Sequence, residues 1–316
     1  MGEAATAQNL TPAPPSPAVV IVTYNVRELA LACLRSLGEE AGEVFVVDNA
    51  SQDGTVEAVR EAWPAARVIA NPGNEGFARA NNQALREARG EHLCLLNPDT
   101  EVRPGALRRL QEALEEDPRL GIVGPALLNP DGSLQSAGQA FPTRAALLGG
   151  AVPWTRRARG PRRRAADGTP VECDWIVGAC MMIRREVLEQ VGLLDEAYFM
   201  YGEEKDLCFR AKQAGWKVAC LPEAEVIHYG GQSADQAPVE SYLAFLDSQF
   251  YFLRKFYPPA QGRLFARATR VGCRLRQAGA TVLAWLQAGQ RETWRRKAEL
   301  ARAGAERCGR HLRRDR

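Results

Sequence analysis

Four short apolar runs, each followed by a segment with helical periodicity, constrain this chain more than any other feature. Val19 to Val22 is β-branched, and from Arg27 the residues Leu29, Ala30, Cys33, Leu34 and Leu37 recur on one helical face before Gly38. The alternation repeats with Val44 to Val47 and Arg67 to Ile69 as strands, Thr55 to Ala62 and Gly76 to Arg89 as helices, and His92 to Leu96 as the fourth strand. Pro104 then opens a helix running to about Glu116, proline being best tolerated in a first turn, where an N–H has no partner anyway. Strands that alternate with helices predict an α/β fold, a Rossmann-like mostly parallel sheet with helices on both faces. In such a sheet, ligands bind beyond the carboxyl ends of the strands.

Polar clusters stand at those ends. Thr23-Tyr24-Asn25 follows the first strand, Asp48-Asn49-Ala50-Ser51 the second, Asn71 to Asn74 the third and Asn97-Pro98-Asp99 the fourth. Neither a GxGxxG nor a GxxxxGK[ST] loop occurs, so the common nicotinamide and nucleoside-triphosphate pockets lose support. Carboxylates and amides must do the work instead. Asp48 is placed to accept from the N–H of a base, while Asn74, Asn81 and the amides near Gly73 and Gly76 can meet a diphosphate or ribose. Asn97-Pro98-Asp99-Thr100 reads two ways: as hard oxygen donors for Mg²⁺ or Mn²⁺, or as a turn whose Asp99 or Thr100 caps the next helix.

Beyond Asn129-Pro130-Asp131-Gly132, a turn signal, the regular alternation ends. An Arg-rich loop, Trp154 to Asp167, precedes a strand-like stretch from Val171 to Arg184 that holds Trp175, Gly178 and Ala179. Glu203 to Ala214 reads as a helix stopped by Gly215, and Lys217 to Cys220 and Val226 to His228 as two short strands. The acidic start Glu203-Glu204-Lys205-Asp206 either complements a helix dipole or supplies a general base. His228, at a strand end before Tyr229-Gly230-Gly231, is either structural or a ligand for metal or phosphate.

At 316 residues, 46% hydrophobic and 25% charged, the chain has the composition of a globular protein with a sizeable core. Its eight cysteines show no CxxC pair, which points to reduced thiols in a cytosolic compartment and away from a zinc site. Residues 1–17 lack the basic start and apolar run of a signal peptide and read as a disordered leader. No stretch approaches the roughly 18 apolar residues a spanning helix needs. The net charge of +3 hides an asymmetry: residues 261–316 carry 15 Lys+Arg against 4 Asp+Glu, so residues 1–260 sum to −8. In that tail Leu264, Phe265, Ala268, Val271, Leu275, Val282, Leu283, Trp285 and Leu286 recur at helical spacing among arginines, the pattern of a helix lying on an anionic membrane surface, of a packed helix or of an oligomer contact. No nucleic-acid recognition module accompanies the charge.

Taken in order, the motifs resemble the inverting family 2 glycosyltransferases, in particular their rhamnosyltransferase-like branch. The matching stretches are Val22 to Asn25, Val47 to Thr55, Asn71 to Asn82, Leu95 to Thr100, Trp175 to Met181, Phe199 to Leu207 and His228 to Ser233. The resemblance implies a GT-A fold over residues 18–233, with a nucleotide-sugar half (18–127) and an acceptor half (128–233), followed by a basic helical extension (234–316). It implies that Thr23, Asn25, Asp48 and Asn74 hold the nucleotide, with Tyr24, Asn49, Ser51, Gly76, Asn81, Asn97 and Pro98 completing the donor wall. Asp99 would bind the divalent cation with His228 assisting, and Trp175, Gly178 and Ala179 would border the acceptor. Glu204 stands at the base position usually held by an Asp, with Glu203 and Asp206 beside it, and Asn97 replaces the first acid of a DxD-like element. The expected reaction is inverting transfer from a dTDP- or UDP-linked sugar, rhamnose first, to a glycan or polyprenyl-linked acceptor at the inner face of the cell membrane. A sugar nucleotidyltransferase and a non-catalytic sugar-binding module are the alternatives.

Overall fold

The computed structural model describes residues 16–143, 169–230 and 237–314. The leader up to residue 15, the arginines of the loop at 156–164 and the last part of the late motif, Gly231 to Ser233, lie outside the described residues.

Four parallel strands, β1 (Ala18–Thr23), β2 (Val44–Asp48), β3 (Arg67–Ala70) and β4 (His92–Leu96), form one half of the main sheet in the order β3-β2-β1-β4. Helices α1 (Arg27–Ser36), α2 (Thr55–Ala62) and α3 (Phe77–Glu87) connect them. Strands β1, β2 and β4 read as unbroken apolar runs because both of their faces are covered, while β3 lies at the sheet edge and is partly exposed. Val19 and Ile21 enter one core layer with Val44, Val46, Cys94 and Leu96, while Ala18, Val20 and Val22 enter the other with Phe45, Val47, Leu93 and Leu95. That is the period of two expected of a pleated strand. Cys33, Leu34 and Leu37 close the first layer, and Ala78, Ala80, Ala84 and Leu85 of α3 close the second.

After β4 come β5 (Thr100–Val102), α4 (Ala106–Glu116), β6 (Leu120–Leu128) and β7 (Gly138–Gln139). Helix α4 begins two residues after Pro104, and its N-cap is Gly105 at φ 84°, with no side-chain cap. The capping alternative for Asp99 and Thr100 is therefore set aside: Thr100 opens a strand instead. The stretch from Val171 to Arg184 divides into β8 (Val171–Glu172), β9 (Trp175–Ile176) and β10 (Cys180–Arg184), because Gly178 and its neighbours turn the chain. Strand β10 runs antiparallel between β4 and β6 and joins the two halves of the sheet. Next are α5 (Arg185–Val191), α6 (Glu203–Gln213) and β11 (Lys217–His228). The two short strands expected at 217–220 and 226–228 are thus one. Its pairing with β6 shifts between Leu221 and Glu225, where Pro222 brings no N–H to the ladder.

The tail forms α7 (Pro238–Phe256), α8 (Pro259–Leu286) and α9 (Arg291–Arg314), with a small core of Leu246, Phe250, Ala266 and Cys308. It is tied to the sheet domain by polar contacts. Ser248 Oγ donates to the Met200 carbonyl at 2.9 Å, Tyr251 donates to Asp195 at 2.9 Å, and Lys255 reaches both Asp195 and Asp206, at 2.6 and 2.7 Å. All eight cysteines are free and buried.

Candidate active site

A cavity of about 690 Å³ opens at the carboxyl ends of β1 and β4 and is closed on its far side by α6 and α7. Its sheet wall is built by hydrogen bonds between neighbouring strand ends. Thr23 Oγ1 donates to Asp48 Oδ1 at 2.9 Å, and the Ser51 amide donates to Asp48 Oδ2 at 2.8 Å. The Asn25 amide donates to Ser51 Oγ at 2.8 Å while its side-chain oxygen accepts from the Gln52 amide at 2.7 Å. Asn25 adopts φ 51°, a left-handed conformation that asparagine tolerates better than most residues. One strand end further, Asn49 donates to the Gly76 carbonyl and accepts from Asn71, and Asn71 exchanges two amide bonds with Gln83 of α3. Of these groups Thr23, Tyr24 and Asn49 line the cavity, whereas Asp48, Asn25 and Ser51 brace the loops beside it.

Gly76 sets how closely α3 approaches the loop at residue 199. Its amide donates to Asn74 Oδ1 at 3.0 Å, its φ is +82°, and a Cβ there would sit 2.5 Å from the Phe199 carbonyl oxygen. The Phe77 amide donates to that same oxygen at 2.7 Å, so the start of α3 clasps the loop that leads into α6. Asn81 donates to the Phe77 carbonyl and stays within the helix, away from the cavity lining. Its neighbour Asn82 both donates to and accepts from the backbone of Leu194, which fixes the same loop.

The segment Asn97-Pro98-Asp99 forms the floor. The Asn97 amide donates to the Ala179 carbonyl at 2.9 Å, and β5 pairs with β11 so that Thr100 faces His228. This register brings His228 Nε2 to 3.5 Å from Asp99 Oδ1, with both groups nearly buried. The imidazole is oriented by Gln135, a residue without any signal in the sequence. Gln135 Nε2 donates to the His228 carbonyl at 2.6 Å and to Asn129 Oδ1 at 2.9 Å, so its Oε1 must be the acceptor that faces His228 Nδ1 at 3.0 Å. His228 then donates from Nδ1 to Gln135, and Nε2 is the ring nitrogen that faces Asp99.

Across the cavity, Gly202 at φ +92° starts α6, and its amide donates to Glu204 Oε2 at 2.8 Å. A Cβ on Gly178 would lie 3.5 Å from that of Glu204, so the turn between β9 and β10 packs directly on this side chain. Burial raises the Glu204 carboxyl, against the opposing pull of Lys205. Burial raises Glu203 well above the usual carboxylate range, with the charge of Glu204 adding to the effect. Both carboxyls are thus pushed up together; Glu203 is the more deeply buried, and Glu204 is half-buried beside it in the cavity wall. Lys205 is turned away to Gln249 at 2.7 Å and lies over the Phe252 ring at 4.3 Å, and its burial pushes its pKa down to about 8.

The profile of glycosyl transferase family 2 matches residues 18–192. The chain is similar to N-acetylglucosaminyl-diphospho-decaprenol L-rhamnosyltransferase of Mycobacterium tuberculosis, with 34% identity over 260 residues, 74% of this chain and 83% of that one. This chain belongs to glycosyl transferase family 2. A second relative, the low-salt glycan biosynthesis hexosyltransferase Agl10 of Haloferax volcanii, is 30% identical over 243 residues, 74% of each chain. The fold is similar to that of the mannosyltransferase PcManGT from Pyrobaculum calidifontis, solved with GDP-Man and Mn²⁺, with a TM-score of 0.55 and 21% identity over 93% of this chain and 87% of that one. The sheet is thus of the GT-A type, and the enzyme is a glycosyltransferase that uses a nucleotide-linked sugar. The nucleotidyltransferase and binding-module readings give way to it.

Within this glycosyltransferase Asp206 and Trp175 join Asn81, Asp48, Asn25 and Ser51 as expected residues that do not line the cavity. Asp206 is fully buried and taken up by Arg210, Lys255 and Tyr198, at 2.6, 2.7 and 3.1 Å. Trp175 donates from its indole to the Ala140 carbonyl and is not part of the cavity lining, whereas Gly178 and Ala179 are. Conversely, Glu240, Asp247 and Arg307 line it from the helical tail, where sequence patterning showed only amphipathic helices.

Proposed function

We propose that the enzyme transfers a hexosyl group, L-rhamnose first, from a dTDP- or UDP-linked donor to a lipid-linked glycan acceptor, with inversion. The observation that carries this reading is that the Asp99–His228 pair and the Glu203–Glu204 pair open into one cavity. Glu204 takes the proton of the acceptor hydroxyl as that oxygen attacks the anomeric carbon, with Glu203 beside it. Thr23, Tyr24, Asn49 and Asn74 face the nucleotide, with Asp48, Asn25 and Ser51 holding their loops in place. Gly178 and Ala179 border the acceptor. The rhamnosyl and lipid-linked assignments follow the names of the relatives.

A divalent cation, Mg²⁺ or Mn²⁺, fits Asp99 and His228. A carboxylate oxygen and an imidazole lone pair 3.5 Å apart are close to the separation of neighbouring ligands on an ion bonded at roughly 2.1 Å. Among the described residues no third His, Cys, Asp or Glu joins them, consistent with an ion that takes its remaining ligands from diphosphate oxygens and water. Such an ion would neutralise charge that develops on the departing nucleoside diphosphate.

No helix among the described residues is long and apolar enough to cross a membrane. Contact with an anionic membrane surface is proposed for α8, where Val271, Leu275, Val282, Trp285 and Leu286 are between 53% and 78% exposed. Their spacing puts them on one face, flanked by Arg267 and Arg274. Flotation with anionic liposomes tests this, and Leu275→Glu with Leu286→Glu is expected to abolish it.

For the chemistry, Glu204→Gln is expected to leave the thermal shift with dTDP or UDP nearly intact and to lower turnover by about 10²–10⁴. Undiminished turnover would remove Glu204 from the mechanism. Comparing dTDP, UDP and GDP shifts with Mn²⁺ or Mg²⁺ identifies the donor.

A further inference from the structure

Beside the catalytic cavity lies a second hollow of about 390 Å³, enclosed by the loop at Ala197 and Phe199, by α7 and by α9. The two share Phe199, Ala244, Asp247 and Arg307 as a common wall. The hollow is rich in cationic groups. Arg254, Arg307 and Arg310 line it together with His311, and Asp247 is the one acid among its lining residues. That acid is already committed: it pairs with Arg307 and accepts from His311 Nε2 at 2.8 Å, while the His311 ring stacks on Phe250 at 4.1 Å between centroids. Asp247 therefore fixes Arg307 and His311 and leaves Arg254 and Arg310 uncompensated. Neither of those two makes an ion pair among the described residues, and both are exposed at the mouth of the hollow. The Arg307 Nε is buried without a hydrogen-bond partner.

Three guanidinium groups around one hollow repel one another unless an anion joins them, and a buried N–H without an acceptor is costly. Planar guanidinium forks match phosphate oxygens, and here no carboxylate competes for two of the three. On the proposed reading the donor's diphosphate belongs with Asp99 and His228 in the catalytic cavity, and neither of those residues lines this hollow. A second phosphate-bearing group would belong to the other substrate.

We propose that this hollow is the subsite for the phosphate-bearing part of the acceptor, a prenyl diphosphate whose first sugar reaches past Phe199 and Arg307 into the catalytic cavity. The assignment rests on the reading of the enzyme as a transferase acting on a lipid-linked acceptor. It adds that the helical tail, and not the sheet, recognises the charged linkage.

The test is calorimetric titration of the full chain, without metal, using three probes: farnesyl diphosphate, inorganic pyrophosphate, and phosphatidylglycerol vesicles that carry no diphosphate. Farnesyl diphosphate is expected to bind and to lose about tenfold or more in affinity in each of Arg254→Ala and Arg310→Ala. Both arginines are exposed, and unchanged melting temperatures confirm that the variants fold. Binding of pyrophosphate alone, with farnesyl diphosphate excluded, would make the hollow a free-anion site and overturn the acceptor assignment. Vesicle binding that depends on the arginines, with no binding of farnesyl diphosphate, would make it a headgroup contact and overturn it likewise. A kinetic arm compares a diphosphate-linked sugar acceptor with the same sugar as a simple alkyl glycoside. The ratio of their kcat/KM values is expected to fall about tenfold in the variants. Equal losses on both acceptors would show that the arginines only support the fold. If farnesyl diphosphate binds through the arginines but the wild-type enzyme glycosylates no lipid-linked sugar, the subsite stands and the functional reading fails; transfer that ignores the arginines gives the reverse.

Discussion

Replacing Asp206 by Asn separates a structural carboxylate from a catalytic one. Asp206 lies two residues beyond Glu204 on α6, and its side chain is 0% exposed. Its oxygens accept from Arg210 Nε at 2.6 Å, Lys255 Nζ at 2.7 Å and the Tyr198 hydroxyl at 3.1 Å. Arg210 also donates to the carbonyls of Val191, Gly192 and Leu193, and Lys255 also holds Asp195. The carboxylate thus joins α6, the loop after α5, and α7 of the tail. Asparagine preserves the shape but removes the charge, leaving two cations 17% and 28% exposed with a weaker partner. Breaking a buried pair in this way typically costs about 3–5 kcal/mol. Asp195 still compensates Lys255, so the lower end, about 3 kcal/mol, is expected. For a chain of this size that corresponds to a fall in Tm of about 5 °C. Scanning calorimetry and urea unfolding measure the loss, and turnover at 15 °C, well below the transition, is expected to stay within a few-fold of wild type. Lys255→Met should be less than additive with Asp206→Asn, since both break the same contact. A Tm that does not move, accompanied by a thousandfold loss of turnover, would refute this reasoning and place Asp206 in the chemistry.

Gln135→Leu removes the acceptor that fixes the His228 tautomer, and the affinity for Mn²⁺, measured by calorimetry with the nucleoside diphosphate present, is expected to drop by about 10–100-fold. An unchanged affinity would mean that His228 is oriented by other groups. Lys205 has its folded pKa lowered to about 8 by burial, below its ordinary value of 10.5, so its contribution to stability is complete above pH 10.5 and is lost as pH falls through 8. Lys205→Met is therefore expected to be more stable than wild type at pH 7, by about 1–2 kcal/mol once the lost bond to Gln249 is counted, with the gain shrinking between pH 8 and 10.5. Urea unfolding at pH 7 and pH 10 checks both the sign and the trend.

The legible part of this molecule is the part whose side chains report their own environment. The ends of β1, β2 and β4 were readable because a parallel strand buried on both faces leaves an apolar run, and the polar cluster that interrupts each run marks where it emerges at the ligand edge. The pairing of Asp99 with His228 was readable only as two residues in motifs more than a hundred positions apart. What joins them is the antiparallel register of β5 on β11, and a three-residue strand such as Thr100-Glu101-Val102 carries no pattern that predicts its partner. Gln135 was invisible for the same reason: it lies in a turn-rich stretch, and its significance comes from a carbonyl and an imidazole 93 residues away. The error at residues 217–228 has a different source. Pro222 looks like the end of a strand, yet β6 continues to pair on both sides of it, so a local breaker was overridden by a long neighbour. The tail shows the limit from the other side. Its helices were plain from composition, but a periodicity gives one apolar face for each helix and does not say which polar residues face inward. Arg307 and Asp247 reach the cavity because α9 packs against both α7 and α8, as the contact of Cys308 with Leu246 and Ala266 records. Motifs therefore locate the groups that sit at strand ends, while the groups contributed by helix packing, including those proposed to bind the acceptor's phosphates, emerge only once the helices are placed.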